Sequence, residues 1–133
     1  MIASRPSTLA TLPLADCHAI LEADPTAWRW IALVSLITAD VAGGFAADSL
    51  LRDPAKRTAA LLLRLAGVRS RLFAAAKPSP IFLSQDKLGQ LANLSRNSIG
   101  PILRSFVARG CIKIRYGAIV VSNVRALSQT IAG

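Results

Sequence analysis

The tetrapeptide Ser95-Arg96-Asn97-Ser98 carries side chains suited to recognition rather than to catalysis. A guanidinium offers paired donors to guanine O6 and N7, and a carboxamide pairs with adenine N6 and N7. Hydroxyls beside the unpaired N–H groups of a helix start bind phosphate oxygens. Arg96 and Asn97 are therefore candidate base readers, Arg96 foremost. Other chemistries find no such constellation. The single histidine, His18, cannot build a Ser/His/Asp arrangement, and no Gly-rich loop precedes a helix in a phosphate-cradling pattern, so an enzyme is not expected. Cys17 and Cys111 lie far apart, and His18 with one adjacent thiol completes neither a zinc nor an iron–sulfur site, so no metal or cofactor is expected. Cys111 reads as a small buried hydrophobe.

The elements that must position Arg96 and Asn97 can be read on either side of them. Ser84 is a good helix N-cap, and Leu88 with Leu91 predicts an apolar face for a first short helix. Gly89 would let a second helix cross closely, and Asn93 can take the left-handed conformation that ends the first. Ser95 then caps a second helix over Arg96 to Arg109, with Ile99, Ile102, Leu103, Phe106 and Val107 at helical spacing. Pro101 interrupts its backbone donors and predicts a local kink. Gly110 stops it. The runs Cys111 to Ile114 and Ala118 to Val121 predict a hairpin around Arg115, Tyr116 and Gly117, with Tyr116 packing at the turn. Two helices, a tight turn and a hairpin make a winged helix-turn-helix.

Charge is distributed to match. Residues 1–51 hold two arginines against five acidic side chains, net −3, whereas residues 52–133 hold fourteen basic against two acidic, net +12. The excess lies with the reader, as a polyanionic partner requires. Double-stranded DNA is the expected partner.

These residues resemble the cyclic-AMP receptor and fumarate-nitrate regulators, the Crp/Fnr family. The resemblance rests on Leu83-Ser84-Gln85 with Leu88 and Gly89, Ser95-Arg96 with Ile99, Ile102 and Leu103, Gly110 with Ile112, and Tyr116-Gly117 with Ile119. Upstream it takes in Leu12-Pro13, Ile20-Leu21, Asp24-Pro25, an apolar segment to Leu51, and Arg57 with Leu61 to Leu65 and Gly67. It implies a mostly α protein with a small β-hairpin: residues 1–24 as the end of a sensor domain, 25–53 as a long dimerisation helix, and 54–133 as the winged helix-turn-helix. It implies a homodimer on pseudo-palindromic DNA, phosphate contacts from Ser84, Gln85, Ser95 and Ser98, and a possible contact with RNA polymerase that nothing else in the chain indicates. Lys87, Arg104, Lys113 and Arg115 would add phosphate contacts. The family often carries glutamate and a later arginine where this chain has Asn97 and Pro101, so a different half-site is expected. The β-roll sensor of the family has no room ahead of Leu12, where only a short strand could fit, and the chain reads as a truncated member. No Gly-rich turn or Arg-Ser pair suited to a cyclic phosphate is present.

Hydrophobic residues make up 53% of the chain, above the roughly 45–50% usual for soluble domains even with glycine counted. The surplus sits in residues 28–51, apolar on several faces as a doubly covered helix would be. Leu33, Leu36, Asp40, Gly43, Ala47 and Leu50 form one candidate dimer seam, and Trp30, Leu33, Ile37, Gly44, Ala47 and Leu51 a second. The Gly43-Gly44 pair allows a break. Asp40 and Asp48 argue against a membrane span, and Pro13 and Asp16 against a signal peptide, so a cytoplasmic protein is expected. Rival readings are a module that pairs with a full-length relative, a degenerate fragment that binds DNA without specificity, and a membrane-surface protein.

Overall fold

The computed structural model describes residues 8–70, 72 and 74–133. The chain divides into two compact units, the first ending at Leu36 and the second running Ile37–Gly133, with the boundary inside a helix.

The first unit opens with α1, Leu14–Ala23, whose only buried residue is Leu21. The strand allowed for ahead of Leu12 falls largely outside the described residues, and residues 8–13 form no regular element. Asp24 ends α1 and starts the next turn, its carboxylate accepting from the Thr26 N–H at 3.0 Å and the Thr26 hydroxyl at 2.6 Å. A single 3-10 turn, Pro25–Ala27, leads into α2, Trp28–Ser49. α2 continues through Gly43-Gly44 as one 22-residue helix, where the glycine pair had allowed a break. Trp28, Trp30, Ile31, Val34 and Leu36 on it are exposed.

The second unit is centred on α3, Pro54–Leu65, with Pro54 at its first position and the Asp53 carboxylate capping the N–H groups of Ala55 and Lys56. Proline there forfeits a donor that had no intrahelical partner anyway. Ala59, Leu61, Leu62 and Leu63 of α3 are buried, and Leu65 is half-buried. They pack with Leu88 of α4, Gln85–Leu91, and with Ile99, Leu103 and Phe106 of α5, Arg96–Ala108. The hairpin pairs β1, Ile112–Arg115, with β2, Ala118–Val121, antiparallel, in the register Ile112 to Val121 and Arg115 to Ala118. Arg115 thus belongs to a strand, and the turn is Tyr116-Gly117 alone, with Gly117 at φ +73°. Ile81 adds a bridge to the outer side of β2, exchanging both backbone bonds with Ile119 at 2.8 and 2.9 Å. The chain ends in α6, Val124–Ala132, capped by Asn123 and laid against α3. Neither α1 nor α6 was anticipated from the sequence.

Candidate nucleic-acid interface

Local chemistry builds the turn that sets α5. The Ser84 hydroxyl accepts the Lys87 N–H at 3.2 Å, and α4 then runs only to Leu91. Asn93 turns the chain at φ +52°, so that the Leu94 N–H reaches the Gly89 carbonyl at 2.8 Å. A Cβ at Gly89 would stand 3.1 Å from the Leu94 carbonyl oxygen and 3.5 Å from Ile99 Cγ2, which is why glycine suits the crossing. Ser95 caps α5 through the Ser98 N–H at 3.2 Å, and the two hydroxyls meet at 2.9 Å. Arg57 of α3 secures the turn from behind, donating Nε to the Ala92 carbonyl at 2.6 Å and Nη1 to the Leu51 carbonyl at 2.7 Å. One side chain thereby fastens both the entry to α3 and the turn between α4 and α5.

The buried residues Ile99, Leu103 and Phe106 define the inner face of α5. By helical spacing Asn97, Pro101 and Arg104 centre the opposite face, whereas Arg96, three residues before Ile99, is open because it is the first residue of the helix. All four are exposed. α5 passes Pro101 as a single element to Ala108. Gln85 and Lys87 are exposed in the first turn of α4, Ser84 and Ser95 remain at the surface although they cap, and Ser98 is exposed beside Ser95. Lys113 and Arg115, two apart on β1, project from one side of the hairpin and are also exposed.

Several local expectations are corrected. Leu91 is exposed and contributes nothing to the inner face of α4, because the helix ends there. Val107 is likewise exposed on α5. Tyr116 does not pack at the wing turn: it is fully exposed, since a two-residue turn projects its side chain clear of the sheet.

A second polar cluster lies where α2 meets α3. Asp48 is buried, and both carboxylate oxygens are taken: Arg64 Nε and Nη2 reach Oδ2 at 2.8 Å, and Arg69 Nη2 reaches Oδ1 at 2.8 Å. Burial pushes the Asp48 carboxyl up, but the hydrogen bonds from Arg69 and Arg64 outweigh it and hold it below the ordinary aspartate value of 3.8. Arg64 also donates Nη1 to the Arg69 carbonyl at 3.0 Å. Its guanidinium lies over Gly44, where a Cβ would overlap it. Ser70 donates to Asp40 at 2.6 Å. Of the residues assigned to a dimer seam, Asp40 and Gly44 are therefore engaged within the chain. Leu36 and Ala47 are exposed, and Leu33 and Ile37 half-buried.

Sequence reasoning passed over one exposed neighbour of Arg96. Asp86, in the first turn of α4, places Oδ1 3.3 Å from Arg96 Nε. The signal was present: after Asp53 it is the only acidic side chain in the chain. Among the described residues, no group of three metal-ligating side chains comes together.

A family model described as a Crp-like helix-turn-helix domain matches residues 56–130, from the first turn of α3 to the last turn of α6. The chain belongs to that family. The Crp-like fold recurs in solved structures. A CRP-family transcriptional regulator of Thermus thermophilus, TTHB099, matches at 20% identity over 68% of this chain and 46% of its own, with a TM-score of 0.56. A Crp/Fnr-family regulator from Eubacterium rectale matches at 18% identity over 91% of this chain and 53% of its own, TM-score 0.54. The catabolite activator protein of Thermus thermophilus matches at 22% identity over 90% and 53%, TM-score 0.50. At these identities the likeness is one of fold. The Crp-like chain spans about half the length of these solved relatives. No curated protein matches it in sequence.

Proposed function

We propose that this Crp-like chain is a sequence-specific DNA-binding transcriptional regulator of the cytoplasm, which binds pseudo-palindromic DNA as a homodimer. The observation that carries the reading is the helix α5, held by Gly89, Asn93 and Arg57, with Arg96, Asn97 and Arg104 exposed in a segment of high positive charge. In this reading α5 enters the major groove, Arg96 donates to guanine, Asn97 reads adenine, and Ser84, Gln85, Lys87, Ser95, Ser98, Arg104, Lys113 and Arg115 hold phosphates. Two copies would set their half-sites about one helical turn apart, roughly 10 base pairs.

The exposed Leu36 and the half-buried Leu33 and Ile37 of α2 favour pairing with a second copy, whereas Asp40 and Asp48 farther along the helix are bonded within the chain. The helical stretch Pro25–Ser49 is long and apolar enough to cross a bilayer, with a mean hydropathy of 1.7. Asp40 and Asp48 within it are bonded to Ser70, Arg64 and Arg69 of the reader's own unit, which favours the aqueous reading.

Selection of duplexes from a random DNA pool tests the proposal. The wild-type protein should enrich a two-fold site, and Arg96→Ala should relax one base position in each half-site by about 1–3 kcal/mol, roughly 5- to 150-fold in discrimination. Retention that falls steeply with salt but enriches no motif would reduce the protein to a non-specific binder.

A further inference from the structure

Asp86 is one of only two acidic side chains after residue 51, and the other, Asp53, caps α3. In a segment of net charge +12, fourteen basic less two acidic, the remaining carboxylate stands 3.3 Å from the Nε of the foremost reading residue, Arg96. Both side chains are open to solvent, 83% exposed for Arg96 and 55% for Asp86. An ion pair so exposed adds almost nothing to folding. Its effect must therefore be sought where Arg96 meets a partner.

Resting on the DNA-binding reading above, we propose that Asp86 is a positioning residue that gives Arg96 its selectivity for a base edge over a phosphate. A guanidinium has three nitrogen donors in a rigid plane. Engaging Nε with Asp86 leaves Nη1 and Nη2, the end-on pair, to donate together to O6 and N7 of guanine. The carboxylate also fixes the direction of a long side chain that would otherwise lose its rotamer freedom on binding. Phosphate recognition is affected in the opposite sense. Any duplex offers phosphates whatever its sequence, and the negative charge beside Arg96 offsets the attraction that would draw this arginine to them. Asp86 thus weakens sequence-independent contact while sparing the guanine contact, which is specificity obtained through a repulsive element.

A purely local role for Asp86 makes a different prediction. An acidic residue in the first turn of α4 complements the partial positive charge of the helix start, and that effect does not need Arg96. The two roles separate in a double-mutant cycle. The full chain and its Asp86→Asn, Arg96→Ala and doubly substituted forms would be titrated with a duplex selected from a random pool and with a scrambled duplex of the same length. The proposal expects Asp86→Asn to tighten the scrambled duplex about threefold or more and the selected one less, so that the ratio between them narrows. In the Arg96→Ala background the same substitution should shift both duplexes by one common factor. A common factor in the presence of Arg96, or an unchanged ratio, overturns the role of Asp86 alone. Should the folded wild-type protein retain neither duplex, the DNA-binding reading falls and this one with it. If Asp86→Asn does not fold, Asp86→Ser, which also suits a helix start, is read by the same criteria.

Discussion

The molecule contains two aspartate–arginine associations with nearly the same contact chemistry and opposite surroundings. Asp48 is buried under Arg64 and Arg69 with every contact at 2.8–3.2 Å, whereas Asp86 and Arg96 meet in solvent at 3.3 Å. A buried ion pair has already given up its water, so removing one partner strands the other. An exposed pair can exchange its partner for water or for a new ligand at little cost. The first is therefore a fastening between the end of α2 and α3, and the second sits where a ligand can compete. What separates the two ion pairs is solvent access, not residue type.

The largest effect is expected from Asp48→Asn, which leaves two guanidinium groups around a neutral amide and should cost about 3 kcal/mol in denaturant unfolding. Its pH dependence sharpens the point. The folded-state carboxyl of Asp48 titrates below its unfolded value of 3.8. The stabilisation is thus fully present above that value and disappears as pH falls through the lower folded-state value. The gap between wild type and Asp48→Asn should stay constant from neutral pH down to about pH 5 and close below about pH 4. A gap that stays open into stronger acid would show that packing, not charge, sets the cost.

The glycines of α2 divide the same way, with a smaller effect. A Cβ at Gly43 meets nothing within 4 Å, so Gly43→Ala should raise the stability by about 0.5–1 kcal/mol through helix propensity. One residue later a Cβ would overlap the Arg64 guanidinium, which Asp48 and the Arg69 carbonyl hold in place. Gly44→Ala gains the same propensity but must displace Arg64, and should lower the stability by about 1–2 kcal/mol. Equal melting shifts for the two substitutions would mean that Arg64 moves aside freely, and that the fastening is weaker than its geometry indicates.

Legibility in the sequence follows the same boundary between local and distant interactions. Ser84, Ser95, Gly89, Asn93 and Gly110 could be read because each acts on backbone within a few residues, and all five take the anticipated roles of cap, close crossing or left-handed turn. The family could be read for the same reason, since those residues carry the resemblance. The contacts of Arg57 with the Ala92 carbonyl, 35 residues away, and of Arg69 with Asp48, 21 away, leave no periodic trace. Nor does the bridge from Ile81 to Ile119. α6 did leave a trace: Asn123 caps it, and Val124, Leu127 and Ile131 fall on one face. It is nine residues long and was hidden behind the stronger signal of the hairpin. Tyr116 was misread because an aromatic at a turn usually finds a surface to cover, and a two-residue turn offers it none.

The smallest expected effect closes the comparison between the two ion pairs. Asp86→Asn and Arg96→Ala each remove one member of an exposed pair, as Asp48→Asn does for the buried one. Neither leaves a desolvated charge behind, because water replaces the missing partner on both sides. Each should unfold within about 0.5 kcal/mol of wild type, with the Asp86 variant the lower by whatever its charge contributes to the start of α4. Chemical denaturation at neutral pH in low and high salt measures this, and the small difference should shrink further as salt screens it. A loss for either variant that approached that of Asp48→Asn would place Arg96 in the fabric of the fold, and its exposure in the free protein would then no longer mark it as a residue held ready for a ligand.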